Sequence, residues 1–187
     1  MASGLEVLLP LVPRVSVVLD KACHNTYYYP VMCPSLQDEL KQSKPFASLE
    51  QEVHLSVLRT AAVLERRFAQ LLKPYSLTLT QYNVLRILRG AGDEGLCRNE
   101  VGERLLREVP DVTRLLDRMK ALKLIRRQRS SEDRRLVRTH ITPKGLTLLD
   151  EIDVRIKGMH CDQLAHLGED RLKQLLCALE DVRQGGP

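Results

Sequence analysis

The sequence predicts a mainly α-helical fold with one small β-hairpin wing. It is a winged helix-turn-helix core flanked by N- and C-terminal dimerisation helices. Three observations predict it. Residues 98–140 read as a short helical run, an amphipathic helical run, and two β-prone runs joined by a polar, Arg-rich tip. Positive charge gathers in the same place: residues 98–138 hold 13 cations and 7 acids, net +6, in a chain whose total is +5. Aromatics are scarce, with no Trp and only Phe46 and Phe68 as Phe. Leu and Val therefore carry most of the packing, which suits helices.

The charge distribution says more than the total. A basic segment inside an otherwise balanced chain is an electrostatic footprint for phosphates. The 187 residues and the 43% hydrophobic content fit one globular domain with a substantial core. The five cysteines, Cys23, Cys33, Cys97, Cys161 and Cys177, are odd in number and form no C-x-x-C pair. That argues against a disulfide scaffold and for a reducing cytoplasm.

Residues 1–45 read as an N-terminal extension, poorly ordered or the product of an upstream start, ahead of a domain spanning 46–184. The apolar run 5–19 is interrupted by Pro10, Pro13 and Arg14. It is too short to span a bilayer and lacks the basic start of a signal peptide. Asp20 and Lys21 stand where a lipoprotein site at Cys23 would need small or apolar residues. Met32 is the expected true start; mass spectrometry of the native protein that found the first 31 residues would refute this.

Dimerisation helices are expected over about 48–73 and 142–184, with the winged-helix core over about 80–142. Ser48 followed by Gln51 is a capping-box signal. Leu49, Val53, Ala61, Leu64, Phe68 and Leu71 then recur at helical spacing up to Pro74. A second helix is expected from Thr80 to Arg89, with Val84, Leu85 and Leu88 inward, broken by the Gly-rich stretch 90–95. A third covers about 99–106 and buries Val101, Leu105 and Leu106. Pro110 is expected at the first position of a fourth helix. There Val112, Leu115, Leu116, Met119 and Leu122 share one stripe, leaving Asp111, Thr113, Arg114, Asp117 and Arg118 on other faces. A polar face alone would read as solvated surface. Between a short helix and a hairpin it reads as a recognition helix.

Hairpin strands are expected over 124–129 and 136–141. Long basic side chains at their tip suit a minor groove, although a charged hairpin that only keeps the protein soluble would look similar. Thr142 as N-cap and Pro143 at the first helical position start the next helix. Its stripe is Leu146, Leu149, Ile152, Ile156 and Met159. A break at 166–168 precedes a last helix with Leu172, Leu175, Leu176, Leu179 and Val182. Both stripes, with the first helix, are expected to build an intermolecular bundle.

These residues resemble the MarR family of bacterial transcriptional regulators over about residues 49–182. "EDRRLVRTHITPKG" resembles the family's D-x-R, strand and [LI]-T-x-x-G helix start. "LTLTQYNVLRIL" resembles its second-helix region, and "VTRLLDRMKALKLIRR" its recognition helix running into the wing. The resemblance implies a homodimer, usually a repressor, on a pseudo-palindromic DNA operator, released by a small-molecule effector. Arg135 is then expected in the minor groove at the wing tip, with Asp133 holding the wing by pairing with an Arg. Arg134 is expected to contact phosphate or groove. Thr113, Arg114 and Arg118 are expected at the major groove. Asp111 either reads a cytosine amino group or caps the helix, with capping favoured. Arg98 and Asn99 lie at a helix N-terminus suited to phosphate.

The peroxide-sensing branch of the family carries a reactive Cys early in the first helix. His54 falls near that position here, and no Cys lies between Pro34 and Leu96. Cys161 and Cys177 are expected to be small buried thiols. A metal-responsive alternative would use His160, Cys161 and His166, or Cys23, His24 and Cys33, but neither set has the compact spacing of a closed zinc site. No P-loop, G-x-G-x-x-G, H-E-x-x-H or nucleophile elbow is present, so no enzyme and no cofactor are expected. The remaining alternatives are a redox-responsive regulator acting through Cys97, Cys161 or Cys177, and a winged helix used only for protein–protein contact.

Overall fold

The computed structural model describes residues 35–129 and 136–185. The chain divides after Thr60 into two compact units. In the first, Ser35 caps a one-turn helix, α1 (Leu36–Glu39), by accepting from Asp38 N–H at 3.2 Å. Glu39 pairs with Arg59 at 3.2 Å. This turn falls in the stretch expected to be poorly ordered.

The helix α2 (Leu49–Leu72) begins where the sequence places it. Ser48 accepts from Gln51 N–H at 3.3 Å, and the Gln51 side chain accepts from Ala47 N–H at 2.8 Å, one residue further upstream than a regular capping box. A 3-10 turn, Lys73–Tyr75, takes up Pro74.

Helix α3 (Leu79–Ala91) is capped by Thr78, not begun at Thr80. The box needs a partner three residues on. Gln81 fills that role for Thr78, donating its N–H and accepting from Thr78 N–H at 2.9 Å. Val84, Leu85 and Leu88 are buried as expected, and Tyr82 joins them.

Helix α4 (Arg98–Glu103) ends earlier than its apolar pattern suggests. Val101 is buried, Leu105 is half-buried, and Leu106 is 78% exposed, against expectation. Asn83 explains the end of this segment: its side-chain oxygen accepts the Leu106 N–H at 3.0 Å, holding the turn in non-helical form.

Helix α5 (Val112–Ala121) starts two residues after Pro110. Asp111 takes the cap, so Pro110 precedes it and does not open the helix. At the other end Lys123 adopts φ +60°. Leu124 N–H reaches the Met119 carbonyl at 3.1 Å, closing a Schellman-type cap with lysine where glycine is usual.

Strands β1 (Ile125–Arg129) and β2 (Val137–Ile141) pair antiparallel, with Arg127 opposite Thr139 and Arg126 opposite His140. A third segment, unexpected from the sequence, joins the hairpin. Leu96 bridges Thr139, giving and taking bonds of 3.0 and 2.7 Å. Gly95 permits this approach: its φ is +62°, and a Cβ there would lie 2.8 Å from the Thr139 carbonyl oxygen.

Thr142 caps helix α6 (Pro143–Leu164), with Pro143 in its first turn. The start of α6 grips the corner between α5 and β1. The Thr142 hydroxyl donates to the Lys123 carbonyl at 2.8 Å, and Lys144 Nζ donates to the Leu122 carbonyl at 3.0 Å. Leu149, Ile152 and Ile156 enter the chain's own core. That corrects the expectation of an intermolecular α6 stripe: the middle of the stripe is already covered. Tyr82 hydroxyl donates to Asp153 at 3.2 Å and Arg89 pairs with Asp153 at 2.7 Å, joining α3 to α6.

After a 3-10 turn, Ala165–Leu167, and Gly168, helix α7 (Glu169–Gln184) buries no residue. Leu175, Leu176 and Val182 are exposed. So are Cys161 and Cys177, contrary to the buried thiols expected.

Candidate nucleic-acid interface

Helices α4 and α5, with the turn between them, form the helix-turn-helix. Val101, Leu116 and Met119 are fully buried and fix α5 through its apolar side. The opposite side is thereby turned out. Arg114 and Arg118, one turn apart, are exposed. Neither side chain has a partner among the described residues, so two guanidiniums stand free on one face.

Asp111 is committed to the helix. It accepts the Arg114 N–H at 2.8 Å and adds negative charge at the dipole's positive end. Arg98 lies against α5: its guanidinium reaches Thr113 Oγ1 at 3.5 Å and Asn99 Oδ1 at 3.0 Å. Arg98, Asn99 and Thr113 thus form one polar cluster where α4 meets α5, together with Asp111 around a shallow cleft.

The start of α4 is less open to anions than its sequence suggests. Glu100 accepts the Cys97 N–H at 2.7 Å. That bond to the Cys97 backbone holds the Glu100 carboxyl below the usual carboxylate range. A phosphate arriving there meets a resident carboxylate.

In the hairpin, several arginines are engaged within the chain. Arg127 Nη1 lies 2.6 Å from Asp117 Oδ1, Arg138 donates to the Gly95 carbonyl at 3.2 Å, and Arg126 donates to Gln128 at 2.5 Å. Asp133, Arg134 and Arg135 lie outside the described residues, as do Cys23, His24 and Cys33. Among the described residues no three His, Cys, Asp or Glu side chains are placed to share a metal.

His140 sits at the base of the wing with a buried Nδ1 that has no hydrogen-bond partner among the described residues. Burial, then the Arg126 and Arg138 charges, push its pKa down, with Asp93 opposing. The unfolded chain therefore takes up a proton that the folded wing resists. Fold stability from this group is complete above the ordinary imidazole range and falls as pH drops through it. The Glu100 contribution is lost only further down, through the carboxylate range. Thermal unfolding of His140→Gln should show a flatter decline between about pH 7.5 and about pH 5.5 than the parent. Parallel declines would exclude His140 as the source.

A MarR family sequence profile matches residues 75–136. The HTH-type transcriptional regulator TtmR of Methylorubrum extorquens (strain PA1) is 32% identical over 146 residues, covering 77% of this chain and 70% of TtmR. The chain belongs to the MarR family. It is a DNA-binding transcriptional regulator. A crystal structure of a MarR transcription factor from Planctomyces limnophilus is 35% identical and covers 73% of this chain and 98% of its own, with a TM-score of 0.56. The transcriptional repressor CouR, solved bound to a 23-mer DNA duplex, is 26% identical and covers 75% of this chain and 98% of its own, with a TM-score of 0.65.

The mainly helical fold with its two-stranded wing agrees with these MarR structures. No described helix is long and apolar enough to cross a membrane. What the sequence reading did not reach is how the wing is attached: Gly95, Leu96, Asp117 and Gly145 all serve that attachment. Only the glycines left a signal, because each sits where a regular element would disfavour it.

Proposed function

We propose that this MarR protein is a cytoplasmic homodimeric repressor that holds a pseudo-palindromic operator and is released by a small-molecule effector. The observation that carries the reading is the outer face of α5, where Arg114 and Arg118 are exposed and have no partner among the described residues. On this reading Arg114 bonds bidentately to guanine O6 and N7, and Arg118 follows the same groove one turn along. Thr113 extends the contact. Arg98 and Asn99 serve the phosphate backbone rather than a base.

Dimerisation is supported by apolar surface that the single chain leaves uncovered. On α2, Leu49, Val53 and Val57 repeat every four residues and are exposed. On α7, Leu175, Leu176 and Val182 do the same work. Covering such stripes with a second copy removes them from water. Two-fold symmetry then sets two copies of α5 about one helical turn of DNA apart. The effector acts only if its affinity differs between a DNA-competent and an incompetent spacing of those helices.

Arg135 at the wing tip is assigned to the minor groove, Arg134 to the adjacent backbone, and Asp133 to holding the tip. Arg135→Ala should weaken operator binding and lower the salt slope by about one ion, with the dimer mass unchanged. Anisotropy titrations across a salt series, with sedimentation in parallel, check both. Unchanged affinity would remove Arg135 from the interface.

A further inference from the structure

Asp117 is the one acid in α5. It lies three residues after Arg114 and immediately before Arg118, on the helix assigned above to the major groove. An unmatched carboxylate there would repel phosphates. It is matched from another element: Arg127 of β1 places Nη1 2.6 Å from Asp117 Oδ1.

The two partners differ in exposure. The Arg127 side chain is 19% exposed and that of Asp117 is 58%. Arg127 also buries its Nε, which has no hydrogen-bond partner among the described residues. Packing therefore holds the guanidinium stem, and the fixed fork presents Nη1 to the helix. Arg127 stands in the middle of β1, opposite Thr139. Thr139 is buried and carries the bridge to Leu96. The ion pair thus joins the reading helix to the most anchored point of the hairpin.

We infer that Asp117 and Arg127 are positioning residues for DNA recognition: their bond fixes the wing on α5, so that helix and wing engage their grooves together. The inference rests on the DNA-binding reading above. With Asp117 open to solvent the pair itself contributes little to stability, so the effect belongs in specificity more than in folding.

Charge provides the discriminating test. Asp117→Asn removes one negative charge and Arg127→Gln removes one positive charge. If the pair acts only through net charge, the first variant binds DNA more tightly and the second more weakly. If it positions the wing, both lose operator affinity. Anisotropy titrations of the full chain against a selected operator and a random duplex read this directly. Each single variant should lose about tenfold on the operator and change about twofold or less on the random duplex. The double variant Asp117→Asn/Arg127→Gln should be no worse than the weaker single. Asp117→Glu, which keeps the charge pair, should recover operator binding, and unfolding temperatures identify any variant that fails to fold. Tighter operator binding by Asp117→Asn, or additive losses in the double variant, would overturn the inference while leaving the DNA-binding reading intact. Failure of the parent protein to tell the operator from random duplex would overturn both.

Discussion

Gly145→Ala should destabilise the fold by about 2–3 kcal/mol, although helix propensity alone favours alanine by about 1 kcal/mol. Crowding at this position outweighs the propensity gain. Gly145 lies in the first turn of α6, against the corner that links α5 to β1. A Cβ there would sit 2.5 Å from the Leu124 carbonyl oxygen and 2.8 Å from Ile141 Cγ1. The nearest atom is backbone, so no rotamer change relieves the contact. Either α6 lifts or the corner moves. Lifting α6 also strains the Gly145 N–H to Thr142 bond of 3.2 Å and the Lys144 bond to Leu122. Because the same corner aims α5 relative to the wing, operator affinity should fall along with stability. Chemical denaturation measures the first effect; a stability equal to or above the parent's would mean that α6 does not rest on Leu124 as described.

Arg114→Ala should cost about 1–3 kcal/mol of discrimination between operator and random duplex, a loss of roughly 5- to 150-fold in the affinity ratio. Stability should scarcely change, since the side chain is exposed and has no partner among the described residues. The cap at this end survives, because Asp111 accepts the backbone N–H of residue 114, not its side chain. Competition titrations separate two roles. Loss confined to the operator places Arg114 on a base edge; equal loss on both duplexes places it on phosphate.

The sequence made the parts with strong local signals legible. The α5 stripe of Val112, Leu115, Leu116 and Met119 marks one buried side, and the arginines between mark the other. Thr142-Pro143 names both the cap and the first turn of α6. Errors fell where two local signals compete. Thr78 and Thr80 can each begin a helix, and only the position of Gln81 favours Thr78. Pro110 and Asp111 both belong at a helix start, and the carboxylate took the cap. Leu106 fits a helical stripe, yet Asn83, far upstream, captures its N–H. The α6 stripe looked free for a partner because periodicity marks an apolar face without saying which surface covers it. Tertiary contacts such as Asp117 with Arg127 left no trace in spacing at all.

Whether α5 and the wing read a two-fold DNA site is measured by selecting bound sequences from random duplex DNA and titrating the winner by anisotropy across a salt series. The expected result is an enriched pseudo-palindrome with half-sites about one helical turn apart, bound tightly and with an affinity that falls steeply as salt rises. Selection that enriches no common sequence, or binding equally tight to every duplex, would contradict it.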